Sequence, residues 1–576
     1  MKFKELAKYI EEIEKTSSRN TITELLSSLF KKLSENEIRE TIFLLQGRLV
    51  PLYESKEFGM AEKLIVNSAV TAFDIEKNKF ILELKKIGDI GTAVEYFKNK
   101  IVLREQDLSI SEVFEKLTIL ADAEGKGSQE IKINVLADLI SKLDPLSTRY
   151  LVRIPIGTMR LGFSDMTILD ALSWMMRGDK SLRPILQHSY HVKPNLGLIA
   201  TILKRKNGID KLKEIEPEVF TPIIMMRAER MSSGDEIIKK IGVCAVEPKY
   251  DGFRLQIHKK GNEVKMYSRN LDDVSHMYPD IIEGIIKQIK ETSIIIEGEA
   301  IGYSPKTGEY LSFQDTVQRK RKYDIETMKM AVPLRLFLFD LLYLGRKSYI
   351  NQEFKKRRDQ LEKLVKISGN QKIDTILLAP QTIENSGSSI EKRFDEAVSK
   401  NLEGIIAKKI DGIYKPGARE WNWIKFKKSY SSKIIDTIDC LIMGYDFGKG
   451  KRTGFGIGAF LVGVYDKKND SYVTVAKIGT GLTDEEWKEL KKRSENKKTL
   501  KKPIIYKTND QIDSDIWIKP SIVVEIKSDE ITNSPLHSAG LALRFPRLER
   551  FRDDKSPDDV TSFEEVKKLY LSQLIK

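Results

Sequence analysis

Glu247-Pro248-Lys249-Tyr250-Asp251-Gly252-Phe253-Arg254 is the stretch on which the reading of this chain turns. It sets a lysine two residues ahead of an Asp-Gly pair and five ahead of an arginine, a pattern of the form KxDGxR. Four fixed positions arise by chance in a chain of this length with a frequency of roughly 0.4%, at about one in twenty per position. Taken alone, the stretch also fits an exposed lysine beside a turn. The surrounding sequence decides between those readings.

The chain has 576 residues, 41% hydrophobic and 32% charged, with a mean hydropathy of −0.34. That is apolar material for several cores, in a chain long enough for roughly two to five domains. No run of 18 uncharged apolar residues occurs, so no transmembrane helix is expected. The opening Met1 to Leu6 leads straight into an amphipathic pattern with acidic residues and reads as neither a signal nor a transit peptide. Cys244 and Cys440 are the only cysteines. A disulfide framework and a cysteine zinc site are thereby excluded, and a reducing, cytoplasmic setting fits.

The net charge is +14, with pI near 9.2. It is spread along the chain. Residues 1–215 hold 34 basic against 30 acidic side chains, residues 216–430 hold 38 against 31, and residues 431–576 hold 26 against 23. No basic tail accounts for the excess, so a polyanion would meet folded surfaces. Within the first third, residues 1–150 are net −2 and residues 151–215 net +6. The second stretch is a candidate phosphate-tracking face.

Three textures follow one another. Up to about residue 215 the apolar residues recur at helical spacing, as in Phe3, Leu6, Ala7, Ile10 and Ile13. Thr21 with Glu24, and Ser109 with Glu112, read as capping boxes that start helices. From about residue 216, extended runs such as Ile294–Ile296 and Leu336–Phe339 alternate with helical segments, which predicts a mixed sheet with helices on it. After about residue 430, Ile438–Tyr445, Phe455–Tyr465, Tyr472–Ile478 and Ile522–Ile526 read as short strands between glycine-rich turns, and Glu564–Ile575 as a closing helix. Such strands must bury an apolar face and hide their edges, which predicts a small β-barrel. Gly448 to Gly454 lacks the spacing of a phosphate-binding loop and reads as a hairpin turn.

The lysine stretch resembles motif I of the covalent nucleotidyltransferases, the superfamily of DNA ligases, RNA ligases and messenger-RNA capping enzymes. Further segments resemble its other motifs in order: Ser268-Arg269-Asn270, Glu297-Gly298-Glu299, Phe339-Asp340-Leu341-Leu342-Tyr343, Glu403 to Lys408, Trp423 to Lys427, and Leu543 to Arg547 continuing to Arg552-Asp553-Asp554-Lys555. Phe313-Gln314, the basic run Arg319 to Lys322 and Leu-Arg-Phe-Pro-Arg resemble the ATP-dependent DNA ligases of archaea and eukaryotic nuclei. So does the N-terminal third, where Gly157 to Gly162 resembles a DNA-backbone-contacting segment. The resemblance covers essentially the whole chain.

It implies a multidomain chain. An all-α DNA-binding domain would span 1–215, an α+β nucleotidyltransferase (adenylation) domain 216–430, and a β-barrel OB-fold domain with a C-terminal helix 431–576. It implies an ATP-dependent DNA ligase that seals 5′-phosphate/3′-hydroxyl nicks, serving DNA replication, repair and recombination. Lys249 would attack the α-phosphorus of ATP to give lysyl-AMP, then an adenylated DNA, then the sealed strand. A free lysine has a pKa of about 10.4, so only about one in 2,500 is neutral at pH 7, and the site must depress that value. Lys425, Lys427 and Arg254 are the candidate cations for this; the two lysines, two apart, would share a strand face and hold the α-phosphate. Glu299 and Glu403 would bind Mg²⁺, with Mn²⁺ left open. Phe339 would stack on adenine, and Glu247 would read its edge. Arg254 and Arg269 would contact the sugar or the 5′-phosphate. Arg552 and Lys555 would reach the β- and γ-phosphates, with a hinge near Lys427 to Ser432. Arg153, Arg160, Arg319 and Arg321 would contact DNA.

The resemblance implies nicked double-stranded DNA as the partner, a sliding clamp only as a family-level expectation, no membrane, and a monomeric protein. An RNA ligase or a GTP-using capping enzyme is the nearest rival, and the long helical segment counts against the latter. A catalytically idle DNA-binding scaffold would not need the full set of Lys, Glu and Arg positions. His188 and His191 lack further ligands for a metal site.

Overall fold

The computed structural model describes residues 1–102, 104–159, 161–311, 313–320, 324–366, 368, 374–400, 402–427, 437–448, 455–499 and 501–575. The chain separates into two compact units, Met1–Phe426 and Lys427–Lys576. No helix among the described residues is long and apolar enough to cross a membrane.

Up to Lys213 the described regular elements are all α-helices. The periodicity acts as read: Phe3, Leu6, Ala7, Ile10 and Ile13 form the buried face of helix Phe3–Glu14. The expected capping box at Ser109 and Glu112 opens helix Ile110–Asp122. The one expected at Thr21 and Glu24 does not form. Helix Arg19–Lys32 starts earlier, because the Ser18 hydroxyl accepts from the Thr21 amide and Thr21 lies inside the first turn. These helices share one continuous core.

The remainder of the first unit holds two sheets. The strands are β1 (Arg227–Arg230), β2 (Cys244–Lys249), β3 (Phe253–Lys260), β4 (Glu263–Tyr267), β5 (Ser293–Gly302), β6 (Leu334–Leu344), β7 (Lys347–Ser348), β8 (Ile376–Leu378), β9 (Thr382–Glu384), β10 (Gly404–Lys409) and β11 (Arg419–Lys427). One sheet runs β1-β11-β10-β2-β9; the other runs β4-β3-β5-β6-β7, with β8 beside β6. Each has its own backing. Helices Gly234–Ile241 and Gly387–Ser399 cover the first through Ile237, Ile390 and Phe394, which meet Val246, Ile405 and Ile424. Helices Pro279–Gln288 and Phe354–Leu364 cover the second through Ile285 and Leu361, which meet Leu255, Ile296 and Leu338. A third cluster, with Val192, Met226, Ile295, Leu342, Tyr414 and Trp423, ties the helical segment and both sheets together.

The chain passes from one sheet to the other inside the opening motif. Lys249 ends β2 in the first sheet and Phe253 begins β3 in the second. Gly252 sits in the crossing, where a Cβ would stand 3.0 Å from the Ala300 carbonyl carbon and inside contact distance of its oxygen. Only glycine lets the two strands approach this closely.

In the second unit, β12 (Ile438–Asp446), β13 (Ala459–Asp466) and β14 (Ser471–Ile478) form an antiparallel meander. A bulge between Ile442 and Gly444 divides β12, so its second half pairs with β15 (Ile516–Ile518) and its first with β16 (Val523–Lys527). Both faces of β12 are buried: Ile438, Cys440 and Ile442 enter one core, Leu441 and Met443 another. The expected strand from Phe455 begins at Ala459. The closing helix is Phe563–Ile575. The hairpin read at Gly448 to Gly454 lies, after Gly448, outside the described residues, as does most of the expected hinge at Lys427 to Ser432.

Candidate active site

Lys249 stands at the seam between the sheets. Its strand is held antiparallel to β10, with Lys249 opposite Gly404, and its carbonyl accepts from the Glu403 amide at 3.1 Å. This register brings the Glu403 carboxylate onto the Lys249 ammonium as an ion pair. The next residue, Tyr250, stacks on Phe337 at 4.2 Å and anchors the crossing to the second sheet.

A cavity of about 480 Å³ opens here, lined from both sheets. The first sheet supplies Glu247, Lys249, Lys408, Trp423 and Lys425. The second supplies Arg254, Glu299 and Phe339, with Arg269 from the loop after β4. That loop is fixed by the Ser268 hydroxyl, which accepts from the Asn270 and Asp272 amides. Eight of the expected residues (Glu247, Lys249, Arg254, Arg269, Glu299, Phe339, Glu403 and Lys425) therefore converge within or beside one cavity.

The charges are arranged unequally along it. Burial lowers the Lys249 pKa, Glu299 and Asp251 oppose that shift, and Arg254 and Arg269 add to it. Burial lifts the Glu299 carboxyl to about 7, although Lys249 and Arg254 pull it down. Lys425 is brought down to about 8 by burial and by a ring of cations, Arg230, Lys249, Arg419 and Arg269. Arg254 is committed to the protein: it donates to Glu297 at 2.8 Å and to the Met226 carbonyl at 2.7 Å, against the rings of Phe339 and Trp423.

The other end is apolar, with one polar set. Glu247 is buried and pairs with Lys408 at 2.7 Å. The Lys408 ammonium also lies within 5 Å of the Phe339, Phe354 and Trp423 ring centres. Burial raises the Glu247 pKa against the pull of Lys408 and Arg358. The second Glu247 oxygen has no hydrogen-bond partner among the described residues. Arg358 lies 3.8 Å away, outside hydrogen-bond reach. A buried acceptor left open in a cavity wall suits a ligand donor.

Lys427 ends the same strand as Lys425 but does not line this cavity among the described residues. Arg552 and Lys555 belong to the second unit, where Asp439 pairs with both, at 3.0 Å and 2.7 Å. Two expected DNA contacts are corrected. Arg153 is 1% exposed and pairs with Glu14 at 2.9 Å and Asp89 at 2.6 Å, so it ties helices together and offers no guanidinium to solvent. Arg319 is likewise 1% exposed and pairs with Asp280 at 2.6 Å. Arg160 and Arg321 lie outside the described residues. No group of three or more His, Cys, Asp or Glu side chains placed to hold a metal ion occurs among the described residues, His188 and His191 included.

Lys408 and Trp423 lie in the quoted motif segments without an assigned role, and Arg358, Arg227 and Arg419 were not expected at the site. Lys408 and Trp423 fall within segments whose neighbours were singled out, and their inward facing follows from strand alternation with Ile406 and Lys425, a signal legible in the sequence. Arg358 comes from a distant helix and carried no such signal.

Three family models match the chain: "DNA ligase N terminus" over residues 2–173, "ATP dependent DNA ligase domain" over 225–427, and "ATP dependent DNA ligase C terminal region" over 453–555. A "Probable DNA ligase" of Dictyoglomus turgidum is 45% identical, with 100% of this chain and 98% of the relative aligned. The "DNA ligase" of Sulfolobus acidocaldarius is 38% identical over 100% of this chain and 99% of its own length. A solved structure described as "Pmar-Lig_PreS3" superposes with a TM-score of 0.56 over 95% of this chain and 99% of that one, at 18% identity, which is a likeness of fold.

Proposed function

The chain belongs to the ATP-dependent DNA ligases, and from that premise we propose that Lys249 is the residue that carries AMP. The observation that carries this assignment is its position at the seam, in contact with Glu403 and inside a cavity that has an apolar end and a cationic end. In the first step the neutral Nζ attacks the α-phosphorus of ATP; an N–P bond forms, the bond to the bridging oxygen breaks, and pyrophosphate leaves with the electron pair. Burial and the nearby Arg254 and Arg269 favour the neutral amine. Lys425, with Lys427 as the second candidate, holds the α-phosphate and takes up charge developing on it. Arg269 contacts the sugar or the 5′-phosphate, and Arg254 lends its fixed charge from the wall.

At the other end, Phe339 stacks on adenine and the open oxygen of Glu247 accepts from its exocyclic amine. The carboxylates of Glu299 and Glu403 fit a divalent cation such as Mg²⁺ or Mn²⁺. Two hard oxygen donors, with no group of three such ligands among the described residues, suit an ion that takes its remaining ligands from phosphate and water. When bound, such an ion would supply charge stabilisation on the phosphoryl oxygens.

AMP then passes to the 5′-phosphate of a nick, and the 3′-hydroxyl displaces it to close the strand. Arg552 and Lys555 serve the β- and γ-phosphates in the first step only. We read the chain as three domains, 1–215, 216–430 and 431–576, the last an OB-fold barrel, in a monomer acting in the cytoplasm on duplex DNA in replication, repair or recombination. Binding through phosphates makes the affinity fall steeply with salt. ATP labelled on its α-phosphate tests the central assignment. The wild-type chain acquires an acid-labile label and Lys249→Ala acquires none; a labelled Lys249→Ala chain would overturn it.

A further inference from the structure

Glu247 stands between two cations that come from different halves of the structure. Its carboxylate is buried at the apolar end of the cavity. Lys408, from β10 in the first sheet, bonds one oxygen at 2.7 Å and also donates to the Phe339 carbonyl at 3.1 Å. Arg358, from helix Phe354–Leu364 behind the second sheet, faces the other oxygen from 3.8 Å. The two atoms across that gap, Glu247 Oε1 and Arg358 Nη1, are both buried and without a hydrogen-bond partner among the described residues.

The gap is held open from the arginine side. Arg358 Nε donates to Glu362 at 2.7 Å, one turn along the same helix, and Nη2 donates to the Ala379 carbonyl at 2.8 Å, just past β8. A guanidinium is planar and rigid, so anchoring two nitrogens fixes the third. Nη1 therefore stops about 1 Å short of a charge-assisted hydrogen bond. At that range the hydrogen bond is lost, while the Coulomb attraction is only slightly weakened. Arg358 thus favours the charged form of Glu247 without occupying the oxygen that a ligand needs.

The charged form needs this support. Burial pushes the Glu247 carboxyl up, and Lys408 and then Arg358 pull it down. Asp340 pushes it up further, although its own charge is paired with Arg357 at 2.7 Å. Tyr250, the other titratable neighbour that feels Glu247, is kept neutral by burial. A carboxylate can only accept hydrogen bonds, whereas a protonated carboxyl also donates. The first suits the amine at position 6 of adenine. The second suits the carbonyl oxygen that guanine and hypoxanthine carry there.

We propose that Arg358 is a positioning residue for base selection: standing off from Glu247 by a fixed gap, it keeps that carboxylate an acceptor, so that 6-amino purine nucleotides are taken and 6-oxo ones refused. This selection rests on Glu247 meeting the adenine edge, as given above.

The test compares ATP with inosine triphosphate, which carries the 6-oxo group, in single-turnover formation of the lysyl-nucleotide by the full chain at pH 8 and pH 6. The ratio of the two second-order rate constants cancels every pH effect that the nucleotides share, that of Lys425 included. The wild-type ratio favours ATP equally at both pH values. Arg358→Gln can still donate to Ala379 but carries no charge; it keeps the preference at pH 8 and loses about tenfold of it or more at pH 6. Arg358→Lys, which keeps a charge, recovers most of that loss. An Arg358→Gln ratio that matches wild type, a loss of equal size at both pH values, or a loss that Arg358→Lys does not recover overturns the proposal. So does a wild-type preference that itself falls between pH 8 and pH 6, a result that depends on no variant folding. Glu247→Ala separates the two readings. If it keeps the preference for ATP, the adenine contact is wrong and the proposal falls with it; if it loses the preference while Arg358→Gln does not, only the role of Arg358 is refuted.

Discussion

Replacing Gly252 with alanine puts one methyl group into the crossing between the sheets. The added Cβ would stand 3.0 Å from the Ala300 carbonyl carbon and nearer still to its oxygen. Ala300 is in register with Phe253 in β5, at the centre of a sheet backed by a packed core, so its backbone cannot retreat freely. The strain must fall on the crossing, which runs from Lys249 to Phe253. Relieving it takes a displacement of about 1 Å, and an error of that size in a reacting group costs about 10²-fold in rate. Overpacking of this kind also costs about 1–3 kcal/mol of stability. Rapid-quench measurement of lysyl-AMP formation at saturating ATP reads the first effect and thermal unfolding the second. The closure of a pre-adenylated nick, which needs no nucleophile, serves as an internal control and falls less. A Gly252→Ala chain that forms lysyl-AMP at the wild-type rate would refute the claim that this close approach sets the position of Lys249.

Two further outcomes follow from the charges. Lys425 has its pKa lowered to about 8, so its positive charge is present below that pH and lost above it. The adenylation rate therefore falls as pH rises through about 8, and Lys425→Arg, which stays protonated, removes this alkaline limb while leaving the acid limb in place. A pH–rate profile of single-turnover adenylation checks it, and an unchanged alkaline limb in Lys425→Arg would count against the role. Arg153→Met leaves Glu14 and Asp89 without their shared partner and destabilises the helical segment by about 3–5 kcal/mol. Salt-dependent affinity for nicked DNA, measured well below the melting temperature, stays at the wild-type value; a reduced salt slope would restore Arg153 as a DNA contact.

The difference between Arg153 and Lys249 explains how much of the molecule was legible in its sequence. The elements of the site were marked by short patterns, each a few residues long. Lys249, Glu247, Glu299 and Lys425 were picked out because their motifs resemble those of the family. Alternation fixes which residues of one strand share a face, but the register that brings separate strands together, as β10 against β2, is set by tertiary packing. The fate of Arg153 depends on Asp89 and Glu14, 64 and 139 positions away, and nothing near Arg153 signals them. Arg319 likewise depends on Asp280, 39 positions earlier. A basic residue in a basic stretch looks the same whether it faces solvent or closes a buried ion pair. The helices were legible through their apolar spacing, but Ser18 displaced Thr21 as a cap because several hydroxyls compete at one helix start. That the motif would span two sheets, each with its own backing helices, was not visible, since the crossing occupies only Tyr250 to Gly252.

That crossing makes the bound nucleotide a fastener. Glu247, Lys408 and Lys249 belong to one half-core, while Phe339 and Glu299 belong to the other. A nucleotide seated as proposed grips both halves before reaction. After reaction it is welded to one of them through Lys249 and merely rests against the other. The half-core carrying β2 thus keeps custody of AMP whatever the opposite wall does.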